Sequence, residues 1–444
     1  MKNYSIWQDN VMVKHFLKLN QDISCDVLII GGGLTGISTL YHMKKMNFKT
    51  ILVEQGRVGM STTSRSTGKL SYLQNDLINK IRVSVGDDDA KLYLKSQIEA
   101  INLVKSIIKK EKIDCDLTKV NSMLFTNKRE EVKLLQELKS FLDSCGIKTY
   151  ETNSDLVKSK YMFEVDNTYL IHPLKLISGL VNNLSNIYEN TSIKKIKKVD
   201  DSYLCYADKF IIKSKYVIIA SHYPFFNIPY LFPIKAHLEK SYLSCSSYKH
   251  DKVSLISYSN PFISIRTYQD NLIYLSNSHV INKDTCDKHN FNELIKKISN
   301  LSLVPSYLWS NTDIITNDGL PYIGKIDKNM LIATGYNTWG LSTSILAGKI
   351  LCDILLNKVN DYITLFDPKR NNFEQIIGGV GNIYKNFNGY VNGFIKSKNR
   401  ITCPHMGCKL IYNEIEKSFD CPCHGSRFNK IGEVIMSPAN KKIF

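Results

Sequence analysis

Four residues near the C-terminus have the types and spacing to hold iron. Cys403 and His405 form a C-x-H pair, and Cys421 and His424 form a C-x-x-H pair after a gap of about fifteen residues. Two thiolates and two neutral imidazoles are the donor set of a [2Fe–2S] cluster in which one iron is held by sulfur and the other by nitrogen. Imidazole ligation raises the reduction potential above that of an all-cysteine cluster. Zinc is the competing occupant, because Cys403, Cys408, Cys421 and His424 could close a tetrahedron around it. Zinc, however, gives no reason for a histidine two residues after the first cysteine. The iron reading takes Cys403, His405, Cys421 and His424 as ligands and leaves Cys408 and Cys423 close beside them.

A second redox signature lies near the N-terminus. The apolar run Asp26-Val-Leu-Ile-Ile30 reads as a buried parallel strand, and Gly31-Gly-Gly33-Leu-Thr-Gly36 follows directly. A helical pattern continues to Lys45, and a second strand, Lys49 to Val53, ends at Glu54. Strand, G-x-G-x-x-G, helix, strand and an acid about twenty residues on is the dinucleotide-binding pattern. Gly31 permits the tight turn, Gly33 lets the backbone approach a pyrophosphate, and Gly36 lets helix and strand pack closely. The phosphate is expected on the helix N-terminus, with Glu54 accepting hydrogen bonds from the adenosine ribose.

Downstream segments choose FAD over NAD. They are the small polar loop Gly56 to Lys69, the stretch Asp318-Gly-Leu-Pro321-Tyr-Ile-Gly324, and the turn Gly335-Tyr-Asn-Thr-Trp339-Gly-Leu341 leading into an apolar helix. Together they resemble the D-amino-acid oxidase/glycine oxidase-like superfamily of FAD-dependent oxidoreductases. Ser221-His222-Tyr-Pro224, Ile171-His172-Pro173, Ser264-Ile-Arg266 and Leu365-Phe-Asp-Pro368-Lys-Arg370 narrow the likeness to a bacterial branch with a C-terminal Rieske [2Fe–2S] domain. The resemblance implies an FAD site lined by Gly31, Gly33, Leu34, Thr35, Gly36, Glu54, Ser61, Thr62, Arg65, Ser66, Thr67, Gly68, Lys69, Ile193, Gly335, Trp339, Gly340 and Leu341. It also implies a disulfide between Cys408 and Cys423 that ties the two cluster loops together.

Composition limits the other possibilities. The chain has 444 residues, 43% of them hydrophobic, with a mean hydropathy of −0.18, so more than one core is expected. No apolar run approaches the length of a membrane span, and the N-terminus lacks the apolar stretch of a signal peptide. Seven of the eleven cysteines are scattered singly; Cys25, Cys205 and Cys352 read as ordinary buried thiols, and a reducing cytoplasm is expected. The net charge of +17 is spread over the whole chain without a basic tail or nucleic-acid motif. It is read as solvated surface able to steer an acidic electron-transfer partner, with nucleic acid not expected as a partner.

These anchors predict an α/β fold: a discontinuous Rossmann-like FAD-binding domain with an α+β substrate cap, and a small all-β Rieske domain at the C-terminus. The oxidoreductase body spans 1–357, with FAD-binding segments at about 20–85, 155–225 and 311–357 and cap segments at 86–154 and 226–310. A linker follows at 358–390 and the Rieske domain at 391–444. The strand-rich cap segment holds three strand-like runs beginning at Val253, Ile263 and Leu272. Gly378-Gly379-Val-Gly381 imitates a second dinucleotide loop, but Tyr384 stands at the sixth position from Gly379 and no strand precedes it. Direct reduction by a pyridine nucleotide is therefore not expected. Only one or two short strands fit between Val391 and Ile401, and Phe428 stands where high-potential Rieske sites carry tyrosine, which points to an intermediate potential.

The chemistry expected is oxidation of a small molecule at a C–H bond alpha to an amine, with hydride passing to the flavin and electrons leaving singly through the cluster to an acceptor of unknown identity. Arg266 is the candidate for holding a substrate carboxylate by two parallel hydrogen bonds. No catalytic base is named. A redox sensor or electron-transfer protein that uses the same cofactors without turning over a metabolite is the alternative.

Overall fold

Val27 to Ile30 form the C-terminal half of the strand Ile23–Ile30, and all four are buried, as a parallel strand covered on both faces requires. This strand pairs in parallel with Thr50–Val53 on one side and Phe210–Ile219 on the other. Phe210–Ile219 in turn pairs in parallel with Met330–Thr334, and Tyr322–Asp327 closes that edge antiparallel. The helix Leu34–Met43 starts where the first strand ends, with Gly33 as its N-cap. It lies against the apolar helix Gly340–Leu355, where a side chain at Gly348 would overlap Ser38 and the Ser38 hydroxyl donates to the Ile345 carbonyl at 2.9 Å. The computed structural model describes residues 1–9, 11–224, 232–249, 251–281, 287–370, 378–379, 381–382 and 401–444.

The cap is a nine-stranded sheet flanked by the helices Val132–Ser144 and Asp287–Ser299, while the long helix Asp87–Glu111 packs against Gly340–Leu355. The three expected runs are the strands Ser254–Ser257, Ser264–Tyr268 and Asn271–Val280. Two twelve-residue strands, Ala236–Ser247 and Pro305–Thr316, are additional to them. Pro305–Thr316 also crosses position 311, where the sequence suggests a return to the FAD-binding segments. Pairing of Ala236 with Thr316 holds it in the cap sheet to its end. Its stretch Ser310-Asn-Thr-Asp has no apolar residue to mark a strand, although the pair packs into hydrophobic clusters on either side of it through Tyr242, Leu308 and Trp309 and through Leu238 and Ile314.

The C-terminal unit is a four-stranded antiparallel sheet of short strands, Ile411–Asn413, Ser418–Asp420, Arg427–Phe428 and Val434–Met436. Its core is small: four cysteines, Leu410, Phe428 and Ala439. Residues 383–400, including the expected approach to the first ligand loop, lie outside the described residues. Gly378 and Gly379 pack against Asn317 and Ile234. Among the described residues, no helix is long and apolar enough to cross a membrane.

Candidate active site and cluster loops

Each glycine of the N-terminal loop has its own steric reason. Gly31 has φ +116°, and a Cβ there would sit 2.6 Å from the Ala220 carbonyl oxygen. A Cβ on Gly36 would overlap the Gly31 carbonyl, so helix and strand meet only through glycine. Gly33 is different: its φ is −72°, and the nearest atom to an added Cβ is Thr63 Oγ1 at 3.6 Å. Its missing side chain leaves room in a cleft rather than relieving strain. Glu54 crosses the mouth of this loop, where Oε2 accepts from the Gly32 N–H at 2.6 Å and Oε1 from the Gly56 N–H at 2.8 Å. Burial pushes its carboxyl up, and those two amides oppose the shift.

The cleft is a cavity of about 390 Å³ running from the glycine loop to the underside of the cap sheet. Of the residues expected to line the FAD site, all but Gly36 and Gly68 do so. Gly68, at φ +78°, instead gives close passage to the Arg266 guanidinium. The fit to a large polar ligand shows in the walls. Thr62 Oγ1, Ser66 Oγ, Ser221 Oγ, His222 Nε2 and Trp339 Nε1 are buried there without a hydrogen-bond partner. Buried polar atoms are rarely left unsatisfied, and donors and acceptors spread along one cleft match the hydroxyls and heteroatoms of a dinucleotide such as FAD.

Two cations of the cleft loop are already engaged. Lys69 Nζ donates to the Leu255 carbonyl at 2.6 Å, and burial, then the neighbouring Arg266, hold its ammonium well below the usual lysine range. Arg65 Nη1 donates to the Ser310 carbonyl at 3.0 Å and to Glu416 Oε1 at 2.8 Å. Arg266 corrects an expectation, since it does not line the cavity. Its Nη1 donates to the carbonyls of Thr67, Gly68 and Ile171 at 3.2, 2.6 and 3.0 Å, its Nε donates to Thr267, and the guanidinium lies over Trp7 and Tyr268. The fork is used to pin three backbone segments together, which leaves it turned away from any substrate carboxylate.

In the C-terminal unit, the loops Cys403–Cys408 and Cys421–Ser426 face each other. Cys408 and Cys423 form a disulfide with Cα atoms 6.6 Å apart. With Cys408 so bonded, the zinc set of three cysteines and one histidine is incomplete. Cys403 and Cys421 present their sulfurs to one another; hydrogen bonding to Cys421 draws the Cys403 thiol down to about 7, while Cys421 is pushed up. Backbone amides of His405 and Met406 and the Ser426 hydroxyl point at the Cys403 sulfur, and those of His424 and Cys423 at that of Cys421. The Ser426 hydroxyl is held by the Ala439 N–H at 2.9 Å. His405 and His424 have ring centroids 5.1 Å apart, and the Nδ1 of each is buried without a partner. Paired sulfurs ringed by N–H donors, opposite two orphaned imidazole nitrogens, fit a mixed-ligand [2Fe–2S] cluster.

The cluster loop does not stand apart from the cleft. Along the paired strands Ala236–Ser247 and Pro305–Thr316, Leu238 and Thr312 lie against Gly425, with 3.2 and 3.4 Å to an added Cβ, and Lys240 binds Asp420 at 2.7 Å. The alternate residues His237, Glu239, Ser241, Asn311 and Asp313 line the cavity. One strand pair thus separates cavity from cluster loop, by the alternation of side chains across a sheet. Tyr223, at the end of the central parallel sheet, has its ring 5.9 Å from that of His424, while His222 faces the cleft. Ser437, Pro438 and Asn440 of the C-terminal unit also line the cavity, and Asn440 Nδ2 donates to the Ile193 carbonyl. Sequence reasoning missed these residues and the polar cap strip, since no local motif marks them.

A model of the FAD dependent oxidoreductase family matches residues 26–354, and a model of the Rieske [2Fe-2S] domain matches 399–444. The Rieske 2Fe-2S iron-sulfur protein YhfW of Bacillus subtilis is 27% identical over 98% of this chain and 96% of its own length. Gamma-glutamylputrescine oxidoreductase of Escherichia coli is 24% identical over 77% of this chain and 85% of its own. Among solved structures, glycine oxidase from Geobacillus kaustophilus superposes with a TM-score of 0.65 at 15% identity, covering 78% of this chain and 99% of that one. L-proline dehydrogenase from P. horikoshii superposes with a TM-score of 0.64 at 15% identity, covering 79% and 98%. At such identities the superpositions speak for the fold.

Proposed function

Because the chain belongs to the FAD-dependent oxidoreductase family and ends in a Rieske [2Fe-2S] domain, we propose that it oxidises a small amine or amino-acid-like molecule and sends the electrons out through the fused cluster. The observation that carries this reading is the strand pair Ala236–Ser247 and Pro305–Thr316, which has the cavity on one face and the cluster loop on the other. Bound FAD supplies two-electron oxidation and the cluster single-electron transfer. The remaining work falls to the chain. The glycine loop and Glu54 hold the nucleotide end, the turn Gly335 to Leu341 brings a second helix N-terminus to the cleft, and Leu34, Thr35, Ser61, Thr62, Ser66, Thr67, Lys69 and Ile193 shape the rest of the FAD site. Cys403 and Cys421 are assigned to one iron and His405 and His424, through Nδ1, to the other. The names of the relatives, for gamma-glutamylputrescine, glycine and L-proline, support a nitrogen-bearing substrate.

The test is anaerobic mixing of the purified full chain with a panel of amines and amino acids, following flavin absorbance and the electron resonance of the cluster. Bleaching of the flavin followed by a low-average-g signal is expected. Bleaching with no reduction of the cluster would remove the electron route, and failure of every compound to bleach the flavin would favour the sensor reading.

A further inference from the structure

Beneath the cap sheet the cavity wall carries a strip of acceptors. Glu239 and Asp313 are direct register partners on antiparallel strands, and both line the cavity. Two carboxylates so opposed repel one another, an arrangement that costs stability unless a positive group sits between them. Burial, then Glu239, pushes the Asp313 carboxyl up to about 7. His237 lies 3.2 Å from Glu239 Oε1. One register step along the same face, Asn311 pairs with Ser241. Asn311 Nδ2 donates to Asp313 Oδ2 at 3.4 Å. Its Oδ1 is buried without a partner on a residue only 6% exposed, on the cavity wall. A carbonyl oxygen only accepts, so what this atom lacks is a donor.

Among the described residues lining the cavity the only arginine is Arg65, and it is paired with Glu416. The lysines that line it are engaged as well, Lys69 with the Leu255 carbonyl and Lys80 with the Thr316 carbonyl at 2.8 Å, and Arg266 lies behind the wall, so the carboxyl and amide oxygens of Glu239, Asp313 and Asn311 face the cavity. We propose that Glu239, Asp313 and Asn311 form a subsite for a second, protonated amine of the substrate, so that the chain takes diamines or related amino-terminated amines rather than α-amino acids held by their carboxylate. The inference rests on the amine-oxidation reading above and narrows it.

The test compares 1,4-diaminobutane, n-butylamine and glycine as anaerobic reductants of the FAD-loaded full chain. Charge-assisted hydrogen bonds from a second ammonium predict half-maximal flavin bleaching by the diamine at a concentration at least about tenfold below that for butylamine. Asp313→Asn and Asn311→Ala should each collapse that preference. Asp313→Asn relieves the cross-strand repulsion, so its melting temperature should not fall, which keeps a loss of preference from being a loss of fold. Equal bleaching by butylamine or glycine, or a preference that survives in Asp313→Asn, would overturn the subsite while amine oxidation stood. Should no compound bleach the flavin, saturable binding of 1,4-diaminobutane, read as a rise in melting temperature and lost in Asp313→Asn, would support the subsite although the oxidation reading had failed. No such binding would overturn both.

Discussion

At the scale of single residues, the glycines of the N-terminal loop divide into those that serve the fold and those that serve the ligand. Gly36 has no room for a methyl group against Gly31, whereas Gly33 has only Thr63 Oγ1 near it, at 3.6 Å. Gly33→Val should therefore yield folded protein that has lost its flavin absorbance, because the new side chain fills the cleft where a pyrophosphate must approach. Gly36→Ala should instead lower the melting temperature or prevent folding. The cysteines divide in a similar way. Cys408 and Cys423 close a loop with a sequence separation of 15, a cross-link worth about 3 kcal/mol by loop entropy. Cys408→Ser should cost stability of that order yet keep iron and acid-labile sulfide, while His424→Ala should lose them.

At the scale of elements, the strand pair Ala236–Ser247 and Pro305–Thr316 is a wall with two different faces. Leu238 and Thr312 receive the cluster loop at Gly425, while Glu239 and Asp313 look into the cavity. A bulky replacement on the outer face, Thr312→Arg, should push the loop away from the wall without entering the cavity. Rapid mixing should then show flavin bleaching at an unchanged rate and slower appearance of the reduced cluster. Equal slowing of both phases would mean that the outer face does not govern transfer between the two cofactors.

At the scale of the whole molecule, the small C-terminal core is supplemented by buried charge. Glu416 binds Arg65 of the cleft loop and Arg427 of its own sheet, each at 2.8 Å, and hydrogen-bonds Ser310 of the cap. Lys240 bridges Asp287 and Asp420 alongside. Removing one partner of such a buried set strands the others, so Glu416→Gln should destabilise by about 3–5 kcal/mol. Burial alone would push the Glu416 carboxyl up, but Arg427, then Arg65 and Lys240, outweigh it and hold the group down at about 2. A depressed carboxyl stabilises fully above its unfolded-state value and loses that contribution as pH falls through its folded value. The gap in melting temperature between the parent and Glu416→Gln should thus stay constant down to about pH 5, then shrink and close near about pH 2. A gap that does not narrow over this range would show that ionised Glu416 is not what fastens the domain.

The sequence by itself determined the chemistry that depends on neighbours along the chain. Glycines three residues apart, an acid at the end of the next strand, and C-x-H with C-x-x-H state which cofactors can be held, because a turn, a helix N-terminus or a ligand loop is a short-range object. Tertiary structure decided which way the remaining polar groups face. Arg266 looked like a substrate ligand, but carbonyls 199, 198 and 95 residues away claim its Nη1. Glu239 and Asp313 carry no motif, and only strand register brings them opposite one another on the cavity side of the cap. The docking of the cluster loop on the reverse of the same strands was likewise invisible, since Leu238, Ile281 and Thr312 meet Gly425 only through the tertiary fold and no local pattern joins them. Local spacing selects a ligand's chemistry; burial and register, which join residues hundreds of positions apart, select whether a charged side chain serves the ligand or the wall around it.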